Sequence, residues 1–239
     1  MSEKNQIQNT TDGDQLPTYL AETADEGRDQ LGEAQQTSHV KCVQMMSDAE
    51  LVDEFGAGSV VIMPDRQLIA TAGEPFDAVT LFFWASFEQW RDIKDKSGGP
   101  IEAQTVDPDS QIARNCKVPR YTEAYQTDPS MSYRFCTCLN FLIELPVGRA
   151  VLSFRRGGMA RGNQLRGYLY RRGGPIWSHR VTFSSEQQSN RDGQRWFQIT
   201  HNTAQFIAES EVDHHRAAYT EAAAAHDRFL YGLDSEAAR

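Results

Sequence analysis

Ala78-Val79-Thr80-Leu81-Phe82-Phe83-Trp84-Ala85-Ser86 is the most strand-prone run of this 239-residue chain. Val, Thr, Leu, two Phe and a Trp suit a pleated, half-buried surface, and the run predicts a central strand continuing towards Trp90. Side chains alternate across a strand, so Phe82 and Trp84 share one face while Phe83 takes the other. With Phe87 and Trp90 they form an aromatic group. One set must be core, and the other is available as a stacking surface.

Working outward, Ser59 to Met63 and Gln67 to Ala70 flank a turn at Pro64-Asp65-Arg66, and Val40 to Met46 reads as a first strand before the polar Ser47 to Glu54. Downstream, Arg91 to Pro119 is irregular, with Ser97-Gly98-Gly99-Pro100 and Asp107-Pro108-Asp109 inside it. A stretch of that kind reads as a functional loop or an insertion. Tyr133 to Leu145 is strand-like, Pro146-Val147-Gly148 a turn, and Ala150 to Phe154 a short buried strand. Trp177 to Ser184 and Gln194 to Thr200 make a hairpin about Asn190-Arg191-Asp192-Gly193. Phe206 to Gly232 is alanine-rich and free of proline, hence a helix. The pattern predicts a mainly β (α+β) fold: an OB-like small β-barrel with one or two helices, plus a C-terminal helix. Its expected divisions are an acidic arm over 1–38, a β-rich domain over 39–207, and the helix and tail over 208–239.

Composition narrows the function. The chain is 39% hydrophobic and 10% aromatic with a formal charge of −9 and a mean hydropathy of −0.58. The aromatic share is too high for a wholly disordered chain, while the lean hydrophobic share leaves part of it outside any core. A membrane-spanning helix needs about 20 apolar residues in a row, and no run approaches that. Met1 to Asn9 lacks the basic start and apolar stretch of a secretory leader. Four cysteines do not make a disulfide scaffold at this length, so a reducing cytoplasm is expected. Residues 1–38 offer little apolar surface to offset ordering entropy of roughly 1–2 kcal/mol per residue. They predict a disordered arm, either a plain tail or one with a docking segment at Leu16 to Leu20.

The charge is unevenly spread. Residues 1–38 carry a net −6, 39–144 a net −7 and 208–239 a net −4, whereas 145–207 hold ten arginines, no lysine and two acids, for +8. Within them Arg155, Arg156, Arg161, Arg166, Arg171 and Arg172 are interleaved with glycines and followed or accompanied by Tyr168, Tyr170 and Trp177. Glycine lets backbone approach a phosphate closely. Arginine presents a planar fork that grips phosphate and stacks on bases. Exposed aromatics hold unpaired bases at ~1–3 kcal/mol each. The bland alternative is a solvated face with ordinary core aromatics. Two acids against ten arginines favour the polyanion. A helix over Met159 to Tyr170 would add its partial positive N-terminus near Arg155 and Arg156. The arm, net −6, is expected to compete with that polyanion.

Catalytic signals are weak. No phosphate-loop, G-x-S-x-G or H-E-x-x-H motif occurs, and Gly157 to Gly162 lacks the lysine and hydroxyl a nucleotide loop needs. Asp107, Asp109, Glu123 and Asp128 could serve a metal-dependent nuclease but lack its carboxylate–x–lysine spacing. Cys116, Cys136 and Cys138 could bind zinc with a histidine, but C-x-C on a strand puts two thiols on one face, Cys116 stands alone and no second cysteine pair exists, so buried free thiols acting as small apolar residues explain them better. The adjacent His214-His215 reads as solvated helix surface. The expectation is therefore no catalysis, no metal and no cofactor.

The order of features resembles a known group. Leu16-Pro17-x-Tyr19-Leu20 precedes an acidic segment from Glu26-Gly27 to Gly32-Glu33. Val40-Lys41-Cys42-Val43-Gln44-Met45-Met46-Ser47 follows, then Phe87-x-x-Trp90-Arg91-Asp92, Asp107-Pro108-x-Ser110-x-x-Ala113 and Val151-Leu152-Ser153-Phe154. This layout, over residues 14–200, resembles bacteriophage and prophage proteins encoded among replication and recombination genes and regarded as single-stranded DNA-binding. The resemblance implies an OB-type barrel, no catalysis and a role in the host cytoplasm. Two departures stand out: Arg155-Arg156-Gly157-Gly158 stands where that group commonly has lysines and a serine or threonine, and only Asp234 and Glu236 weakly echo the acidic C-terminal tip. The expected partner is single-stranded DNA, with RNA as the alternative, alongside replication or recombination proteins and no membrane. Arg155, Arg156, Arg161, Arg166, Arg171 and Arg172 would meet phosphates, and Tyr168, Tyr170, Trp177 and Trp84 would stack bases. The rivals are a virion or assembly protein, whose arginines pair with neighbouring subunits, and the nuclease.

Overall fold

A computed structural model of the chain describes residues 38–91, 101–117, 134–191 and 193–230, the last four without their side chains. The arm expected over 1–38 lies, Ser38 apart, outside the described residues, as do Glu123, Asp128, Asp234 and Glu236.

The strand expected at 78–86 is the longest of all, β4 (Phe76–Trp90). Before it come β1 (His39–Cys42), α1 (Ala49–Phe55), β2 (Val60–Met63) and β3 (Gln67–Ala70). After it come β5 (Ile101–Thr105), α2 (Gln111–Cys116), β6 (Phe135–Leu145), β7 (Gly148–Arg155), α3 (Met159–Arg172), β8 (His179–Ser189), β9 (Arg195–Phe206) and α4 (Val212–Leu230). The described strands form one curled, open sheet in the order β3-β2-β1-β7-β6-β4-β8-β9, with β5 also on β4. The fold is mainly β with a few helices, as the sequence predicts. β4 forks: its start pairs with β8 at Phe76–Val79, its end with β5 at Phe87–Trp90, and β6 runs along its other edge.

A bulge at Leu81 shifts the β4–β6 register between Thr80 and Phe82. The extra residue lets both Leu81 and Phe82 face α4, where Leu81 packs with Ala218 and the Phe82 ring lies 5.9 Å from Tyr219 and 5.2 Å from His226. Phe83 points to the opposite face, 4.9 Å from Phe141 in the main core. The aromatic run thus serves two cores.

The main core lies between the sheet and α3. Phe141, Phe183, Ile143 and Leu152 are fully buried there, and truncating such a phenylalanine typically costs ~3–5 kcal/mol. Gly162, Leu165 and Leu169 recur at helical spacing on the buried face of α3. A Cβ at Gly162 would come within 2.7 Å of the Phe154 side chain, so only glycine lets the helix seat this closely on β7. At the open side of the curl the Gln44 side chain acts as a strand partner: its Nε2 donates to the Phe197 carbonyl and its Oε1 accepts from the Phe197 N–H, both at 2.8 Å. That pair ties the chain after β1 to the outer edge of β9.

Several elements differ from expectation. The irregular stretch Arg91 to Pro119 contains β5, whose Ile-Glu-Ala-Gln-Thr alternates half-buried with exposed, and α2, capped by Ser110 Oγ accepting from the Ala113 N–H. Ser47 to Glu54 mostly joins α1, because Leu51 packs against Val43 and Val61; β1 therefore ends at Cys42. The C-terminal helix starts at Val212, since Phe206 still pairs with His179 in β9. Trp177 sits in a 3₁₀ turn, Ile176–Ser178, before β8. Among the described residues no helix is long and apolar enough to cross a membrane.

Candidate nucleic-acid interface

Sheet register assembles the site. Trp84 lies opposite Asn140, which lies opposite Ser153; one step on, Ser86, Cys138 and Arg155 form the next row; Glu88 faces Cys136 in the third. Cross-strand partners share a face, so residues far apart in the chain form one continuous surface. Its floor is a buried polar network. Asn140 Nδ2 donates to Ser86 Oγ (2.9 Å), Ser153 Oγ donates to Asn140 Oδ1 (2.7 Å), and the Cys138 thiol donates to the same oxygen (3.2 Å). Every member has a partner, which makes the floor rigid.

Glu88 sets the wall above it. Its carboxylate is 1% exposed; Oε2 accepts the Trp90 indole N–H at 3.0 Å, and Oε1 lies 3.6 Å from the Arg155 guanidinium. One buried carboxylate thereby orients an aromatic plate through a hydrogen bond and draws a cation to it by charge, its Oε1 making no hydrogen bond of its own. The chain leaves β7 through Arg156, whose φ of +50° is in the left-handed region a non-glycine residue rarely adopts. The Arg156 guanidinium lies 4.0 Å from the Trp90 ring centre, with that of Arg155 at 6.0 Å, a double cation–π arrangement. These residues line a groove of about 1240 Å³ running along β7 past β1 and the start of β9. Trp84, Trp90 and Trp196 all line it, with His39, Lys41, Arg155 and Arg156.

α3 carries a second cationic surface. The helix contains four arginines and no acid, and Arg166, Tyr170, Arg171 and Arg172 are exposed, Tyr170 at 87%. Arg166 lies 5.9 Å from the Phe83 ring, and Arg172 lies 6.0 Å from Tyr168 and 5.5 Å from Phe206. Tyr168 is half-buried against His201, ring centres 5.3 Å apart. Burial, and next to it the Arg161 charge, hold the His201 imidazole below its ordinary pKa.

The ten residues singled out from the sequence thus fall into three places. Trp84, Arg155 and Arg156 line the groove; Arg161, Arg166, Tyr168, Tyr170, Arg171 and Arg172 lie on α3. Trp177 belongs to neither: it packs with Val79, Leu81 and Ala218, and Arg216 caps its ring at 5.3 Å. Sequence reasoning passed over Trp196 and Glu88, and left open whether Trp90 belongs to the core or to the stacking surface. Alternation of Trp84, Ser86, Glu88 and Trp90 along one strand was the available signal.

The supposed lack of counter-ions needs correcting. Arg149 pairs with Glu144 and Glu221, Arg155 with Glu88, Arg161 with Glu186, and Arg180 with Glu211. Most of these acids come from outside the arginine-rich segment. Among the described residues Arg166, Arg171 and Arg172 carry no carboxylate partner. The other chemistries separate as well. Asp107 Oδ1 accepts from the Asp109 N–H in the turn that starts α2. Burial raises all four thiols, Cys42 to about 12 and Cys138 to about 11, so they are protonated at neutral pH. Cys116, Cys136 and Cys138 do not form a three-ligand group, and His215 is buried rather than solvated. Comparison with protein-family models, with curated proteins and with solved structures finds no match.

Proposed function

We propose that this chain binds single-stranded nucleic acid, DNA first, with little sequence preference and without catalysis. The observation that carries the reading is the convergence of Trp84, Trp90 and Trp196 with Arg155 and Arg156 on one groove. An unpaired base has two flat faces for indole, and its phosphate needs a cation nearby. Glu88 presents Trp90 and Arg155 already oriented, so less side-chain freedom is lost on binding. α3 extends the cationic track with Arg161, Arg166, Arg171 and Arg172, and Tyr170 offers a further plate. The curled sheet serves here as an OB-type barrel does, presenting aromatics from strands to a threaded strand of nucleic acid. A cytoplasmic role in a phage-type replication or recombination system fits this reading.

Fluorescence anisotropy of a labelled oligonucleotide tests it at two salt concentrations. Affinity is expected to fall with salt at a log–log slope of about −0.7 per neutralised phosphate, with tryptophan fluorescence quenched on binding. Absence of binding, together with a salt-insensitive oligomer, would replace the proposal with the assembly-protein reading.

A further inference from the structure

On the face of the sheet away from α3, Glu144 near the end of β6 meets the first turn of α4. Glu144 Oε2 lies 3.1 Å from His214 Nε2 and 2.8 Å from His215 Nδ1, and the three atoms all fall within 4.8 Å of one another. His215 is 6% exposed, and its Nδ1 makes no hydrogen bond although the carboxylate oxygen is so close. The contact is close enough for an ion pair but is not a hydrogen bond, so the nitrogen is left unsatisfied. A cation held between the two groups would satisfy it, bonding the imidazole and the carboxylate at once. Ligand atoms about 2 Å from a tetrahedral zinc stand a little over 3 Å apart, which the two carboxylate–imidazole spacings of 3.1 and 2.8 Å approach, with the two ring nitrogens within 4.8 Å of each other.

The surroundings are those of a metal ligand set. Arg149, opposite Glu144 across the β6–β7 hairpin, donates from Nε to Oε1 at 3.3 Å and fixes the carboxylate plane. The cluster borders a cavity of about 520 Å³ that Asp77, Arg180, Ser210 and Glu211 also line. Two imidazoles and one carboxylate with space beside them make the donor set of a zinc site with an open fourth position. We propose that Glu144, His214 and His215 bind a divalent transition-metal ion, zinc being the ion expected, and that the metal pins α4 to the β6–β7 hairpin. The proposal is independent of nucleic-acid binding.

The full-length chain, stripped with chelator and titrated with zinc chloride alone, tests it by calorimetry and thermal melting. One equivalent of zinc is expected to bind and raise the melting temperature, and cobalt(II) is expected to give visible bands of a nitrogen- and oxygen-ligated site. His214 is 62% exposed at its side chain, so His214→Ala will fold, and with Glu144→Gln it is expected to abolish both signals while leaving the circular dichroism unchanged. Arg149→Ala should weaken zinc about 10–100-fold, as loss of an outer partner does. No zinc bound by the wild-type chain would overturn the proposal, leaving an ordinary histidine–carboxylate contact. So would binding that survives both ligand variants, or thiolate charge-transfer absorption with cobalt, which would move the metal to the cysteines.

Discussion

The groove wall and the outer face of α3 are both arginine-rich, yet they hold arginine differently. In the groove, Arg155 lies 3.6 Å from a carboxylate that is 1% exposed, and Arg156 lies over the Trp90 ring. On α3, Arg166 and Arg171 project into solvent without a carboxylate partner among the described residues. A held guanidinium loses little freedom on binding but has part of its charge already answered. A loose one keeps its full long-range field but must be ordered on contact. The groove is therefore built for stacking geometry, and the helix for electrostatic attraction. The two surfaces should fail in different ways.

The largest effect is expected from the groove. Trp90→Ala removes the plate under Arg156 and leaves the Glu88 carboxylate without its indole donor. Oligonucleotide affinity should fall by ~1–3 kcal/mol, the usual loss for one stacked base, while the salt slope stays unchanged, as anisotropy titrations would show. An unchanged affinity would erase the groove from the interface. The helix should give the complementary result. Replacing Arg166 and Arg171 together by alanine is expected to flatten the salt slope by about 1.4, at about 0.7 per lost phosphate contact on single strands, with a smaller loss of affinity at moderate salt. Identical slopes would confine recognition to the groove.

These two regions were unequally legible in the sequence. The six clustered arginines lie within eighteen residues and are plain in the text, whereas the helix over Met159 to Tyr170 entered only as a condition, although Gly162, Leu165 and Leu169 recur at helical spacing. Counting charge along the chain cannot see pairing across it, however, so Glu88 went unnoticed although it reaches Arg155 from another strand. The groove depends on β4–β6–β7 register, which no local pattern specifies. β4 was readable because eight of its fifteen residues are β-branched or aromatic, five of them between Val79 and Trp84. β5 was not, since Ile101 is the single large apolar residue in Ile-Glu-Ala-Gln-Thr and its partner β4 decides its fate. His214 is exposed as a solvated helix surface predicts, but His215 is not: adjacency on a helix says nothing of Glu144, 70 residues before His214, against which His215 is buried.

The smallest effect distinguishes the two regions by pH. His201 lies under α3 against Tyr168, and burial together with Arg161 lowers its pKa. The unfolded chain, whose His201 titrates at the ordinary value of about 6.5, then holds more protons than the folded one as pH falls. Its contribution to stability is complete above that value and is lost progressively as pH drops through it towards the lowered folded value. The melting temperature of wild type minus that of His201→Gln should therefore shrink on acidification from about pH 8 to pH 5, whereas Trp90→Ala should leave that difference unaltered. A difference that grows in acid would mean that protonated His201 finds a stabilising partner. The α3 surface would then hold an acid strong enough to answer Arg166 and Arg171 as Glu186 answers Arg161, and the loose cationic face on which the contrast rests would not exist.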